Sequence, residues 1–386
     1  MLAATWLFTG AAYGCVLPFL SVYASRRGLS LTDIGVMGAV GATAAGLLQP
    51  VLGRLLDRRE RPRTILTATC VAGALGCTGL GYAATTPLII ACAALGMIGF
   101  YGARVVIVPT TVNVVESAGK GTAMFARYRA CPPVGFTTAG IVGGLLLSHV
   151  AFAVVFSFGA VFFALTAVCG LALRAPRARH GSLAPSADRP AAMISARRVL
   201  CTLALMALLY GILSSSADTY VSLLMRYLHG SFFEVGLVTS VVTIAEIPLM
   251  IVYGGLVDRG RRAILLVIGM SILPSRFLLF AVVQSPPQLL AAQFLDGPTF
   301  AAFAVVGVAL LTEQTPRSER AWALSIYSAA GTLGPIIGPL LAGALAGRLG
   351  LQPMFGLFGL GAVIVPLTVI VGLWPLLRKQ SATVSS

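Results

Sequence analysis

The chain is predicted to be an all-α membrane protein with twelve transmembrane helices, and three observations carry that prediction. The first is composition: of 386 residues, 58% are apolar and only 10% are charged, against about 25% charged in soluble domains. A water-soluble fold of this length could not hide that much apolar surface, so the solvent is lipid. The second is run length, since the apolar residues fall into stretches of about twenty, enough to cross a hydrocarbon core. The third is an internal repeat. Gly53-Arg54-Leu55-Leu56-Asp57-Arg58 returns 201 residues later as Gly254-Gly255-Leu256-Val257-Asp258-Arg259. At the same offset Ser21 falls on Ser222, Asp33 on Glu234 and Gly35 on Gly236. Repeated halves in a membrane chain are the mark of many transporters.

The first span, about 2–23, begins at residue 2 without a basic leader and is long enough to stay in the membrane rather than be cleaved. The second, 34–56, ends where the charged burst begins, and the third covers 65–84. Thr85-Thr86-Pro87 then turns the chain into a fourth that reaches about 115. The fifth and sixth take 128–147 and 151–173. The one long polar segment, 174–198, is rich in Arg, Ala, Pro and Ser and reads as a linker. The second half repeats the plan at 199–225, 233–257, 263–283, 288–312, 322–346 and 352–377. The expected domains are therefore a six-helix bundle at 1–173, a cytoplasmic linker at 174–198, a second six-helix bundle at 199–378 and a tail at 379–386.

The formal charge of +15 could suggest nucleic acid, but its placement argues against that. Even-numbered breaks, the linker and the C-terminus hold 21 of the 27 Lys and Arg, and odd-numbered breaks hold only Arg26, Arg27, Arg226 and Arg348. That bias puts both termini and the linker in the cytoplasm and reads as topology and lipid-headgroup contact. The expected location is the cytoplasmic (inner) membrane, and the expected partners are the bilayer and a small-molecule substrate, with no nucleic acid and a monomer sufficient for function. Seven cysteines fit no zinc or redox spacing and read as small buried hydrophobes. The three histidines lie at span ends or in loops, and no H-E-x-x-H or G-x-S-x-G occurs. No catalytic residue, metal ligand or cofactor is therefore expected, and the chain does not read as an enzyme.

With spans, linker and repeated loop in place, the chain resembles the major facilitator superfamily, whose G-x-x-x-D-R loop follows spans two and eight. The resemblance covers the whole chain and implies two six-helix bundles with pseudo-twofold symmetry around a central cavity open alternately to each side. It also implies a cytoplasmic gate at Gly53, Asp57, Arg58, Gly254, Asp258 and Arg259. The physical reading of that loop is a latch, in which Asp57 and Asp258 at helix ends pair with arginines of a neighbouring segment. The alternative is that those arginines serve topology alone. A narrower likeness, carried by Phe125-Ala126-Arg127-Tyr128-Arg129, Val134-Gly135-Phe136 and Tyr13…Leu17-Pro18-Phe19-Leu20, is to the lactose-permease-like branch, which takes up sugars, nucleosides or aromatic acids with protons. Where that branch has a carboxylate late in helix four, pairing with the arginine matched by Arg129, this chain has Thr111, Val112 and Asn113. Galactoside recognition is not expected.

An ionisable group near the bilayer centre costs at least about 2.5–3.5 kcal/mol, so each one needs a reason. Of 12 carboxylates, three fall within spans: Asp218, Glu246 and Asp296. Arg276 lies about 20 Å from the cytoplasmic end of span nine and Asp296 about 13 Å from the outer end of span ten. In a core about 30 Å thick they are nearly level, with Glu246 within reach of a long arginine and Asp218 nearer the outer surface. Three acids and one base on four consecutive helices make a proton relay in which Arg276 pairs with one acid while another is free to protonate. A static ion-pair network is the alternative. The resembled permease also carries acids in helices seven and eight, an arginine in nine and titratable groups in ten, but Asp296 stands where it has a histidine.

Arg104 stands in span four with no acid in the spans of its half. An arginine facing a cavity is a good anion anchor, which would favour a carboxylate- or phosphate-bearing substrate over a neutral sugar. The candidate substrate contacts are Arg104, Asn113, Arg129 and Tyr13. The expected function is proton-coupled symport of a small organic solute by alternating access, driven by the proton gradient. Export by antiport is the alternative, disfavoured because helix five reads Cys131-Pro132-Pro133-Val134-Gly135 rather than the glycine–proline motif usual in drug antiporters of the superfamily. A non-transporting receptor or scaffold is the reading from another class.

Overall fold

A computed structural model of the chain describes residues 1–59, 61–117, 122–172, 190–257, 262–316 and 319–382. Every regular element among them is helical. Eleven segments are long and apolar enough to cross a membrane: Leu2–Arg26, Leu31–Leu56, Pro62–Tyr82, Thr86–Val115, Phe152–Leu171, Arg197–Tyr227, Phe232–Val257, Arg262–Val282, Pro286–Gln314, Trp322–Leu349 and Leu351–Gly372. Each falls on a run that hydropathy picks out in the sequence. The remaining expected crossing, 128–147, coincides with the continuous helix Thr122–Leu146. That helix is less apolar than the others because Arg127, Arg129, Pro132, Pro133, Thr137 and Thr138 dilute it. The helix Pro190–Tyr227 begins inside the stretch expected as linker, with proline at its first position, where a missing N–H is not needed. Large apolar side chains such as Leu47, Ile251 and Val371 lie exposed along the spans, as a lipid solvent permits.

Several spans are not straight rods, and proline accounts for where they break. The first span divides into Leu2–Gly14 and Leu17–Arg26 ahead of Pro18. Arg262–Ser271 gives way to Leu273–Val282 ahead of Pro274, and Pro286–Gln293 to Asp296–Ala301 ahead of Pro298. Leu351–Ala362 and Ile364–Gly372 part ahead of Pro366. A proline donates no N–H and its ring presses on the carbonyl four residues back, so the helix is disturbed just upstream. After Asp296–Ala301 the chain makes a π-helical turn over Ala302–Gly307 before the α-helix resumes. Such wide turns are frequent at functional sites.

Packing gathers the helices into two units. The first holds the chain up to the linker together with Thr219–Ser240, and the second holds the helix up to Asp218 and everything from Val241 onward. Within the first unit the offset of 201 is visible in hydrogen bonds. Ser30 N–H donates to Asp33 at 3.0 Å and Asp33 N–H to the Ser30 hydroxyl at 3.1 Å. Ser231 and Glu234 repeat the exchange at 2.7 and 3.2 Å. Each is a capping box that satisfies the first free donors of a helix. The turns before them match as well. Gly28 and His229 both have positive φ, and Leu29 N–H reaches Ala24 O as Gly230 N–H reaches Met225 O.

Helix Leu2–Gly14 and helix Thr122–Leu146 approach each other backbone to backbone. A methyl group at Gly135 would lie 2.1 Å from the Leu7 carbonyl oxygen, and one at Gly14 would lie 2.3 Å from that of Phe136. Nothing larger than hydrogen fits there, which is the usual role of glycine between membrane helices. Gly135→Ala is therefore expected to lower stability by about 1–3 kcal/mol through overpacking. Thermal unfolding in detergent reads this directly, and an unchanged melting temperature would show that the two helices can separate freely.

Candidate functional site

The charged cluster lies in the second unit. Arg276 follows the break ahead of Pro274, and Asp296 opens the short helix after the break ahead of Pro298. Arg276 is fully buried and Asp296 is 2% exposed. The Arg276 guanidinium forms an ion pair with Asp296 Oδ1 and donates a second bond to Gln293 Oε1 at 2.7 Å. Thr299 Oγ1 lies 3.3 Å from the same Asp296 oxygen. The Arg276 Nε has no hydrogen-bond partner among the described residues, and the ring centres of Phe277 and Phe280 lie 5.9 and 5.4 Å from the guanidinium carbon. A buried ion pair needs this much secondary bonding to offset the loss of water.

Glu246 reaches the cluster because Gly297 lets its helix come close. A methyl group at Gly297 would lie 2.6 Å from Leu249 Cδ1 and 3.0 Å from Ala245 O, next to Asp296 on one helix and Glu246 on the other. Glu246 is half-buried and Asp218 keeps exposed surface, although both stand well inside long helices. Neither forms an ion pair among the described residues. The charges of Asp218, Glu246, Arg276 and Asp296 nevertheless lie close enough to act on one another. So the four residues singled out in the sequence come together, with one acid bonded to the arginine and two without an ion-pair partner among the described residues.

Two members were not foreseen. Gln293 lies three residues before Asp296, at the end of the helix that precedes the break. A glutamine amid apolar residues was the signal that could have found it. Tyr210 is buried with its ring stacked on Phe303 at 4.6 Å and lies within electrostatic reach of Asp296 and Glu246.

The expected gate is only partly in view. Gly53 and Gly254 are half-buried, and a methyl group at either would meet no neighbour within 4 Å among the described residues. The side chains of Asp57 and Arg58, and Asp258 and Arg259 altogether, lie outside the described residues. Beside the second loop, Arg262 forms an ion pair with Glu313 at the end of span ten. Both partners are partly exposed, so solvent screens that contact and it contributes little to stability.

In the first unit, Tyr13 stacks on Phe100 with ring centres 3.9 Å apart, and the Arg104 guanidinium lies over the Phe100 ring, 5.6 Å from its centre. Phe136 and Tyr101 complete the cluster at 5.9 and 6.4 Å from Tyr13. Arg129 is exposed and close enough to Arg104 for the two positive charges to act on each other. Asn113 does not join them. Nine residues beyond Arg104 on one continuous helix, it points about 180° away around the axis. Thr111 is engaged elsewhere, accepting a hydrogen bond from Trp6 Nε1 at 2.8 Å.

With helices and charges in place, comparison with known proteins decides the family. A family model described as the MFS_1 like family matches residues 1–357. The chain belongs to the MFS_1-like family. The chain is similar to a Lactococcus lactis protein named multi-drug resistance efflux pump PmrA homolog, 27% identical over 89% of this chain and 87% of that one. A putative sugar efflux transporter of Deinococcus radiodurans is 25% identical over 90% and 91%. The solved structure of the nucleoside transporter NupG superposes with a TM-score of 0.82 at 15% identity, covering 96% of this chain and 98% of that one, which establishes the shared fold. This MFS_1-like chain is thus a multi-pass membrane transporter of the alternating-access type and not an enzyme.

Proposed function

We propose that this MFS_1-like chain is a proton-coupled symporter of a small organic solute in the cytoplasmic membrane. In this reading the helix Thr122–Leu146 is the twelfth crossing, the halves 1–173 and 199–378 are the moving bundles, and both termini are cytoplasmic. The observation that carries it is the imbalance in the second unit. Three acids gather around one arginine, and only Asp296 is paired with it. A static scaffold has no use for two further uncompensated carboxylates at that depth, whereas a carrier uses such a group to take up and release a proton as the arginine changes partner. Glu246 and Asp296 are the groups between which that exchange runs, with Asp218 on the route outward.

Export by antiport is the second reading, and the names of the L. lactis and D. radiodurans relatives favour it. Proton movement separates the two. In de-energised vesicles of known orientation, external solute is added while external pH is followed. Alkalinisation is the result expected of symport, and acidification would turn the direction to antiport. A solute that crosses with no pH change in either direction would overturn proton coupling itself.

A further inference from the structure

The first unit carries the opposite imbalance, and it bears on what is transported. Arg104 stands near the middle of the helix Thr86–Ser117, and Arg129 about 10 Å along the helix Thr122–Leu146. Neither has an ion-pair partner among the described residues. The acids of this unit whose side chains are described, Asp33 and Glu234, are each engaged in a capping box. The two guanidinium groups therefore lie close enough for their charges to act on each other, and neither has an ion-pair partner among the described residues. Each group is open to a solute, because Arg104 is half-buried and Arg129 exposed.

The aromatic wall beside them is rigid. Phe100 is 8% exposed and locked between Tyr13 at 3.9 Å and Tyr101 at 5.1 Å. The glycine contacts at Gly14 and Gly135 fix the helix that brings Phe136 to the same group. A forked donor next to a fixed ring surface suits a ligand with an anionic head and a flat apolar body.

We propose that Arg104 and Arg129 bind the anionic group of the cargo, a carboxylate, phosphate or phosphonate, with its apolar body lying against Tyr13, Phe100 and Phe136. This rests on the transporter reading and names its substrate class: the first unit takes the anion and the acids of the second unit take the accompanying proton. The bound anion supplies a counter-charge that the two arginines lack among the described residues.

The test uses the full chain in lipid nanodiscs, titrated with benzoate, phenylphosphonate and, as a neutral match, benzamide. Benzoate or phenylphosphonate is expected to raise the melting temperature and to bind at least about tenfold more tightly than benzamide. R104Q and R129Q are expected to abolish that preference, while R104K keeps the charge, loses the fork and retains only weak binding. Without ligand, R104Q and R129Q are expected to melt at the wild-type temperature or above it, because each removes one of two repelling charges. An arginine with a purely structural role would give a lower melting temperature. Equal binding of benzamide, no response to either anion, or an anion preference that survives both substitutions would each overturn the proposal. Proteoliposome transport separates its failure from that of the reading beneath it. Proton-coupled movement of neutral solutes alone would overturn the anion site and leave the symporter standing. Anion binding lost in R104Q, in a protein that moves no solute, would uphold the site and remove the symporter.

Discussion

Asp296→Asn is expected to abolish proton-driven accumulation and to destabilise the protein by about 3–5 kcal/mol. Arg276 is fully buried, its Nε already has no partner among the described residues, and its bond to Gln293 is to a neutral amide that does not balance its charge. Asparagine keeps the shape of the aspartate but leaves the arginine charge uncompensated, and stranding one member of a buried pair costs far more than removing both. The double variant R276Q/D296N is therefore expected to regain most of the lost stability while accumulation remains absent. Thermal unfolding of the purified protein and accumulation in energised vesicles read the two effects separately. A single variant that melts like the wild type would show that the pair does not hold the second unit together. A double variant no more stable than D296N would show that the two charges are not coupled.

Glu246→Gln is expected to act on coupling alone. Glu246 is half-buried and forms no ion pair among the described residues, so its neutral replacement strands no charge. Stability should stay within about 1 kcal/mol of the wild type. Glutamine resembles the protonated acid and cannot release its proton, so accumulation against a gradient should fall at least about tenfold while exchange of preloaded for external solute continues. Exchange needs only binding and reorientation, which is why it survives when the proton step is blocked. If both activities fell together with the melting temperature, Glu246 would belong to a static network.

The charged cluster was unusually open to sequence reasoning. Each helical residue rises about 1.5 Å, so counting from the polar ends placed Arg276 and Asp296 at nearly the same depth, and the structure joins them directly. Depth, however, says nothing about rotation around the axis. Three acids were candidates for Arg276, and the choice of Asp296 depends on the breaks ahead of Pro274 and Pro298 and on the close contact at Gly297. Gln293 went unnoticed because an amide carries no charge and its value appears only once an arginine is aimed at it. The substrate candidates divided for the same reason. Tyr13, Arg104 and Arg129 come together, while Asn113, chosen by alignment with a motif, falls on the far side of its own helix.

What the sequence by itself determined were local and one-dimensional properties: where the chain is apolar enough to enter lipid, where it repeats, and which charges are carried into the membrane. Hydropathy and helical rise act along the chain and need no knowledge of neighbours, so the apolar segments and the repeat that sets Asp33 on Glu234 could be read in advance. What only the tertiary structure decided was which charges meet. That depends on rotation about each helix axis, on kinks at particular prolines, and on how closely backbones approach where glycine leaves room. Those quantities belong to pairs of helices, and lipid, being as apolar as the side chains it touches, leaves packing and hydrogen bonding to select among them.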